Sequence, residues 1–202
     1  MWVRSGSASV STNNQQPTTN NSPMIRITGG TLRGRRISVP KDEVRPTSER
    51  ARQAFFNILG DRIQDARFLD LFAGSGIFSF EAFSRGAKEC VAVDAARAHT
   101  AAIDKNARVL DARIRTVTAD ALAGIKRLGD DVFDVIYADP PYAYERYDEL
   151  LMAIDSNLQL APDALVAIEH RRRTEPFQSN PTRLRHTRRA EYGEVWISFF
   201  MT

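Results

Sequence analysis

Phe68-Leu69-Asp70-Leu71-Phe72-Ala73-Gly74-Ser75-Gly76-Ile77-Phe78-Ser79 decides the fold. Phe68, Leu69, Leu71 and Phe72 form a nearly unbroken apolar run, the pattern of a central strand covered on both faces. Gly74 and Gly76 permit backbone angles and a close ligand approach that a Cβ would forbid. Ile77, Phe78, Phe80, Ala82 and Phe83 then suit a helix packed back onto the sheet. The product is a cradle at the carboxyl end of a strand, where open α/β sheets hold their ligands. A dinucleotide fingerprint would place Gly or Ala three residues after the second glycine. This chain has Ser79 there, which counts against a nicotinamide enzyme.

Outward from this stretch the same pattern repeats. Cys90-Val91-Ala92-Val93-Asp94 is a second buried strand ending in a carboxylate, and Asp94 lies 18 residues beyond Gly76. That spacing is close to the roughly 20 residues at which an acidic side chain accepts hydrogen bonds from a ribose. A helix through Ala98, Ile103 and Ala107 leads to a third strand, 114–118, with Asp120 and Ala121 at its end. Asp120 either caps the next helix or accepts a bond from an adenine amino group. Val132–Ala138 is a fourth strand, closed by Asp139-Pro140-Pro141-Tyr142. A helix through Leu150, Leu151 and Ile154 precedes a fifth strand at 164–168. A final pair, 182–187 and 195–200, turns at Gly193. Strands alternating with helices imply a doubly wound, mainly parallel α/β sheet of seven strands, Rossmann-like, and the closing pair gives it an antiparallel edge.

The 202 residues suffice for one substantial domain with a small appendage. A single cysteine, Cys90, excludes a disulfide framework and a cysteine-ligated metal site; a reducing, cytoplasmic setting and no metal are expected. No apolar segment approaches the roughly 18 residues that span a membrane. The formal charge of +3 is unevenly spread. Residues 24–62 carry 9 basic and 4 acidic side chains, 63–168 carry 11 and 17, and 169–190 carry 7 and 2. Two basic segments flanking an acidic middle point to a polyanionic partner.

Residues 1–23, rich in Ser, Thr, Asn and Gln, read as a disordered tail. Residues 24–60 read as a basic hairpin and helix, and 61–202 as the catalytic domain. The hairpin turns at Gly29-Gly30 and carries Arg26, Arg33, Arg35 and Arg36. It is either a plain exposed hairpin or a phosphate-binding one, since the planar fork of arginine donates two parallel hydrogen bonds. The helix begins after Arg45-Pro46-Thr47, with Thr47 or Ser48 as cap and Ala51, Phe55, Ile58 and Leu59 as its apolar stripe. Arg50 and Arg52 lie on a solvated face or join Arg45 in a nucleic-acid contact.

Asp139-Pro140-Pro141-Tyr142 carries the most specific chemistry. Two prolines restrict the backbone and hold the Asp139 carboxylate and the neighbouring carbonyls rigidly at a strand end. A stiff pair of acceptors beside an aromatic face suits a planar group bearing NH₂. One N–H goes to Asp139, the other to the Pro140 carbonyl, and the ring stacks on Tyr142. These bonds orient a poorly nucleophilic amine and favour the pyramidal form that attacks a methyl carbon.

Taken together, Asp70 to Gly76, Asp94, Asp120 and Asp139 to Tyr142 resemble the motifs of class I S-adenosylmethionine-dependent amino-group methyltransferases. Arg26-Ile27-Thr28-Gly29-Gly30, Arg33-Gly34-Arg35, Arg45-Pro46-Thr47 and 50–57 narrow the resemblance to bacterial small-subunit ribosomal RNA (guanine-N2) methyltransferases of RsmD type. The resemblance implies that Asp70, Phe72, Ala73, Gly74, Ser75 and Gly76 hold the methionine part of S-adenosylmethionine. It gives the ribose to Asp94 with Ala95 alongside, the adenine to Asp120 and Ala121, and a flipped guanine to Asp139, Pro140, Pro141 and Tyr142. Arg26, Arg33, Arg35, Arg36, Arg45, Thr47, Arg50 and Arg52 become contacts to ribosomal RNA, within a small subunit or an assembly intermediate. Direct in-line displacement by the guanine N2 is the implied reaction. A DNA adenine-N6 methyltransferase would use the same loop but lacks a reason for the amino-terminal block. A protein-glutamine methyltransferase tends to carry Asn at the position of Asp139 and needs no basic hairpin. A non-catalytic RNA-binding module leaves the acidic strand ends without purpose.

Overall fold

The computed structural model describes residues 22–40, 49–172 and 177–202. Nearly all of the expected tail, together with Arg45, Thr47 and Ser48, lies outside the described residues. In chain order the elements are β1 (Met24–Arg26), β2 (Arg36–Ser38), α1 (Glu49–Leu59), a 3₁₀ turn (Gly60–Ile63), β3 (Arg67–Leu71) and α2 (Ile77–Ser84). There follow β4 (Glu89–Asp94), α3 (Arg97–Leu110), β5 (Ile114–Thr118), α4 (Ala121–Arg127) and β6 (Val132–Ala138). The chain closes with α5 (Tyr147–Asn157), β7 (Gln159–Arg171), β8 (Arg185–Tyr192) and β9 (Val195–Met201).

Seven strands form one sheet in the order β5-β4-β3-β6-β7-β9-β8, and β1 pairs with β2 in a separate hairpin. β3 is flanked by β4 and β6, both parallel to it. The chain therefore winds to one side of β3 and later returns to the other, which opens a crevice at the carboxyl tips. Apolar runs in β3, β4 and β6 follow from burial on both faces. Phe68 faces a core with Phe55, Phe56, Phe78, Tyr137 and Phe199. Leu69 and Leu71 face the opposite core with Ile125, Ile136, Leu150 and Ile154. Ile27, Ile37, Phe55 and Phe56 belong to the first core, so the hairpin and α1 share the interior of the main sheet.

Three details differ from the sequence reading, each for a physical reason. β7 begins five residues earlier than expected, because a register shift between Phe133 and Val135 lets Gln159 and Leu160 pair first with Val132 and Phe133. β8 begins at Arg185 rather than Thr182, because the backbone N–H groups of Thr182, Arg183 and Leu184 donate to the buried Asp155 carboxylate of α5. The hairpin closes with a longer loop than a Gly29-Gly30 turn. Its Thr31 and Leu32 N–H groups donate to the Ser84 carbonyl and hydroxyl. Ser84 ends α2, so the loop sits about 12 Å down that helix from Gly76, at 1.5 Å per residue.

Arg52 is not a surface residue. It is 1% exposed, its Nε donates to Glu81 Oε1 at 3.1 Å, and its Nη2 donates to the Arg26 carbonyl at 3.0 Å. Glu81, fully buried on α2, also accepts from the Thr28 N–H and hydroxyl and from Arg85 Nε. A carboxylate this dry is tolerable only with its partners in place, and that excludes Arg52 from nucleic-acid contact. Arg26, by contrast, is exposed and pairs with exposed Glu49 at 3.1 Å. No described helix is long and apolar enough to cross a membrane. Arg52→Ala should lower stability by about 3–5 kcal/mol, whereas Arg26→Ala should cost under about 1 kcal/mol. Urea unfolding of the two variants measures both, and equal small losses would refute the distinction between the pairs.

Candidate active site

The site is assembled at the carboxyl tips of β4, β3, β6 and β7. Leu71 pairs with Val93 on one side and Ala138 on the other, so the three tips end level. The loops beyond are stitched together: the Ala73 N–H donates to the Val93 carbonyl at 2.9 Å, and the Ala119 N–H to the Asp94 carbonyl at 3.0 Å.

The glycine turn has an unusual backbone. Phe72, Gly74 and Gly76 all have positive φ, at 67°, 52° and 75°. A Cβ on Gly76 would meet Ile103 Cγ1 at 2.7 Å, so the turn needs glycine there for space as well as for its angle. Gly74 donates its N–H to Asp94 Oδ2 at 2.8 Å. Asp94 Oδ1 accepts from the Ala96 N–H at 2.8 Å and lies 3.0 Å from His99 Nδ1. Asp70, 2% exposed, accepts at Oδ2 from the Ser79 N–H at 3.2 Å and the Ser79 hydroxyl at 2.8 Å. Ser79 thus pins the first turn of α2 to the tip of β3. Asp120 caps α4 by accepting from the Ala123 N–H at 3.1 Å and is exposed beside the Asp94 loop. Ala95 is exposed, whereas Ala73, Ser75 and Ala121 are buried.

The Asp139 loop faces this turn. The Asp139 N–H donates to the Leu71 carbonyl at 3.4 Å, and Tyr144 at the end of the loop packs edge-on against Phe72 with centroids 5.1 Å apart. Pro140 is buried, Pro141 is exposed, and the Tyr142 ring is 43% exposed. The Arg171 guanidinium at the end of β7 lies 4.6 Å from the Tyr142 centroid. Beneath the loop, buried Tyr137 stacks on Phe78 at 3.9 Å and donates its hydroxyl to Glu169 Oε2 at 3.0 Å. Burial and the neighbouring Glu169 carboxylate push the Tyr137 phenol well up, so it remains a hydrogen-bond donor. Cys90 is buried and its thiol is pushed up by desolvation, which leaves it no role as a nucleophile.

The tips therefore gather Asp70, Asp94 and Asp139 around the glycine turn, with Asp120 at the margin. The positive-φ turn offers backbone approach, and the carboxylates offer hydroxyl and amine acceptors. That set of acceptors and exposed backbone fits the amino acid, ribose and base of S-adenosylmethionine. Sequence reading missed Ser79 and His99 as holders of Asp70 and Asp94, and Glu169 and Arg171 as neighbours of the loop. Glu169 had one signal: a lone acid ending the apolar run 164–168. Exposed Arg33, Arg35 and Arg36 lie on the hairpin, Arg33 in the loop docked at the far end of α2; exposed Arg50 begins α1. Arg171 belongs to the second basic segment and sits at the tips themselves.

Burial raises the Asp70 carboxyl to about 7 against the pull of the Ser79 bonds, with Asp139 and Asp94 adding like-charge repulsion. The folded state holds this proton more tightly than the unfolded chain, so stability is present at low pH and is lost as pH rises through about 7. The drop in urea midpoint between about pH 5 and about pH 8 should shrink in Asp70→Asn. An equal drop in both proteins would show that Asp70 does not titrate there.

Comparison with known proteins places this geometry. The family model described as Conserved hypothetical protein 95 matches residues 25–201. Ribosomal RNA small subunit methyltransferase D of Escherichia coli (strain K12) is 35% identical over 157 residues, 77% of this chain and 79% of that protein. The protein of the same name from Haemophilus influenzae is 31% identical over 72% of this chain and 78% of its own. The solved structure of yhhF from Escherichia coli superposes with a TM-score of 0.79 at 32% identity, covering 89% of this chain and 98% of that one. A hypothetical protein from a Thermus species gives 0.73 at 28% identity, over 87% and 98%. The sheet is the Rossmann-like methyltransferase sheet, and the chain belongs to the Conserved hypothetical protein 95 family of RsmD-like methyltransferases.

Proposed function

We propose that this protein transfers a methyl group from S-adenosylmethionine to the exocyclic N2 amine of a guanine in small-subunit ribosomal RNA. The observation that carries the reading is the Asp139 loop, set against the glycine turn through the Phe72–Tyr144 contact and within electrostatic reach of Asp70. The ribosomal substrate is suggested by the name of the Escherichia coli relative. Residues 61–202 form the catalytic domain in this reading, 24–60 contribute RNA contacts, and the setting is the bacterial cytoplasm.

Asp94 takes the ribose hydroxyls, Asp120 and Ala121 the adenine, and Asp70 with 72–76 the methionine part. S-adenosylmethionine, when bound, supplies an electrophilic sulfonium methyl. Asp139 and the Pro140 carbonyl accept the two N–H groups of the guanine amine and aim its lone pair toward the glycine turn. Arg171 covers one face of Tyr142, and the base stacks on the other. Most of the rate comes from this alignment, for which effective molarities reach roughly 10⁵–10⁸ M. Asp139 acts first as an acceptor and takes the proton only as positive charge builds on nitrogen. Extruding the base costs a few kcal/mol, offset by arginine contacts to phosphate.

Tritiated methyl transfer to small subunits from a strain lacking the activity, followed by mapping of the labelled base, tests the reading. Label on an adenine, or none, would overturn it. Asp139→Ala should abolish transfer while S-adenosylmethionine affinity stays within about tenfold, or about 1.4 kcal/mol, by calorimetry. Near-normal turnover in that variant would remove the loop from the chemistry. Replacing Arg33, Arg35 and Arg36 together by Ala should weaken subunit binding and flatten its log–log salt dependence by up to about 3. An unchanged slope would leave the hairpin a plain exposed one.

A further inference from the structure

A second cavity lies beside the sheet, away from the glycine turn. From Gln178 to Leu184 the chain runs along α5 as a strap. The Gln178 and Ser179 N–H groups donate to Asp148 at the start of α5, and those of Thr182 to Leu184 donate to Asp155 near its end. Between this strap and the outer strands β9 and β8 is a cavity of about 390 Å³. That volume falls within the roughly 300–1,000 Å³ of small-ligand sites.

Its lining is that of a built site. Phe177, Leu184 and Phe200 supply apolar wall, and Arg185, His186 and Arg189 supply the basic rim. Ser198, 4% exposed, lines it from β9, and its hydroxyl lies 2.8 Å from His170 Nε2. His170 Nδ1 is 3.1 Å from the Arg171 carbonyl, so the ring is held from both of its nitrogens. The Ser198 hydroxyl thus stands at the cavity wall with its orientation set by His170. A basic edge strand alone guards against strand addition. That role accounts for exposed arginines on β8 but not for a cavity with a buried hydroxyl.

The cavity is also well placed. Arg189 pairs with Ser198, Ser198 with Ile168, and Ile168 with Ala138, the residue before Asp139. Three strand spacings, about 14 Å, therefore separate the upper rim from the Asp139 loop. Cations for a phosphate, ring surface for a base and a hydroxyl for a polar base edge converge there.

We propose that this groove binds a nucleotide of the RNA strand close to the target base; the assignment of its occupant rests on the RNA reading above. The test uses the full chain and cytidine 5′-monophosphate, with inorganic phosphate as control. The nucleotide should shift the amide resonances of His186, Ser198 and Phe200. Asn180→Trp, at an exposed position lining the cavity, should abolish those shifts. It should also raise KM for the RNA about tenfold, with kcat and S-adenosylmethionine affinity little changed. If that variant does not fold, Arg189→Gln should lower nucleotide affinity about tenfold. Unmoved resonances, or an unchanged KM in a folded Asn180→Trp protein, would overturn the proposal. Equal shifts with inorganic phosphate would reduce the groove to an anion site. Nucleotide shifts in a wild-type protein that methylates no RNA would overturn the assigned occupant and the functional reading, while leaving a free-nucleotide site.

Discussion

The two hydrogen bonds from Ser79 to Asp70 are the constraint on which the site depends. They join the first turn of α2 to the tip of the central strand inside the protein, where an unsatisfied carboxylate would be costly. With both ends of the glycine turn held, the chain between them turns sharply, with positive φ at Phe72, Gly74 and Gly76. Asp94 completes the arrangement from the neighbouring strand by holding the Gly74 N–H. The cradle is therefore preorganised by two carboxylates, one at each of the neighbouring strand tips.

A second buried carboxylate governs the other end of α2. Glu81 collects Arg52, Arg85 and Thr28, so the hairpin, α1 and α2 are tied to one another at a single buried carboxylate. The hairpin is thereby more than an appended arm. Its apolar residues fill the core beneath β3, and its arginines are presented from a rigid base. The cost of that rigidity is one arginine withdrawn from the surface.

The charge distribution divides the labour. Acidic tips surround the crevice, the hairpin offers one basic surface, and the segment after β7 offers another. Arg171 touches Tyr142 itself, and Arg189 lies 3.8 Å over the Trp196 ring on the neighbouring strand pair. The second basic surface thus reaches the loop at Arg171, while the hairpin loop meets α2 at its opposite end. A substrate bridging both would have to be extended, as a structured polyanion is.

The alternation of strands and helices, the glycine turn and the proline loop were legible in the sequence because each is local. An apolar run, a Gly-x-Gly and an Asp-Pro-Pro-Tyr constrain their own backbones wherever they are placed. Asp70, Asp94, Asp120 and Asp139 could be grouped because each lies at or within two residues of a strand's end, and parallel strands bring their carboxyl ends to one edge. What only the tertiary structure decided were the partners drawn from distant segments. Arg52 looks like its exposed neighbours along the chain until Glu81, 29 residues away, buries it. Thr182 to Leu184 look strand-like until Asp155 on another element takes their N–H groups. Ser198 and His170 meet only because β7 and β9 pair antiparallel. Local pattern sets the periodicity of an element, but the fate of a polar group depends on which partner reaches it when water leaves, and that is a property of the assembled fold.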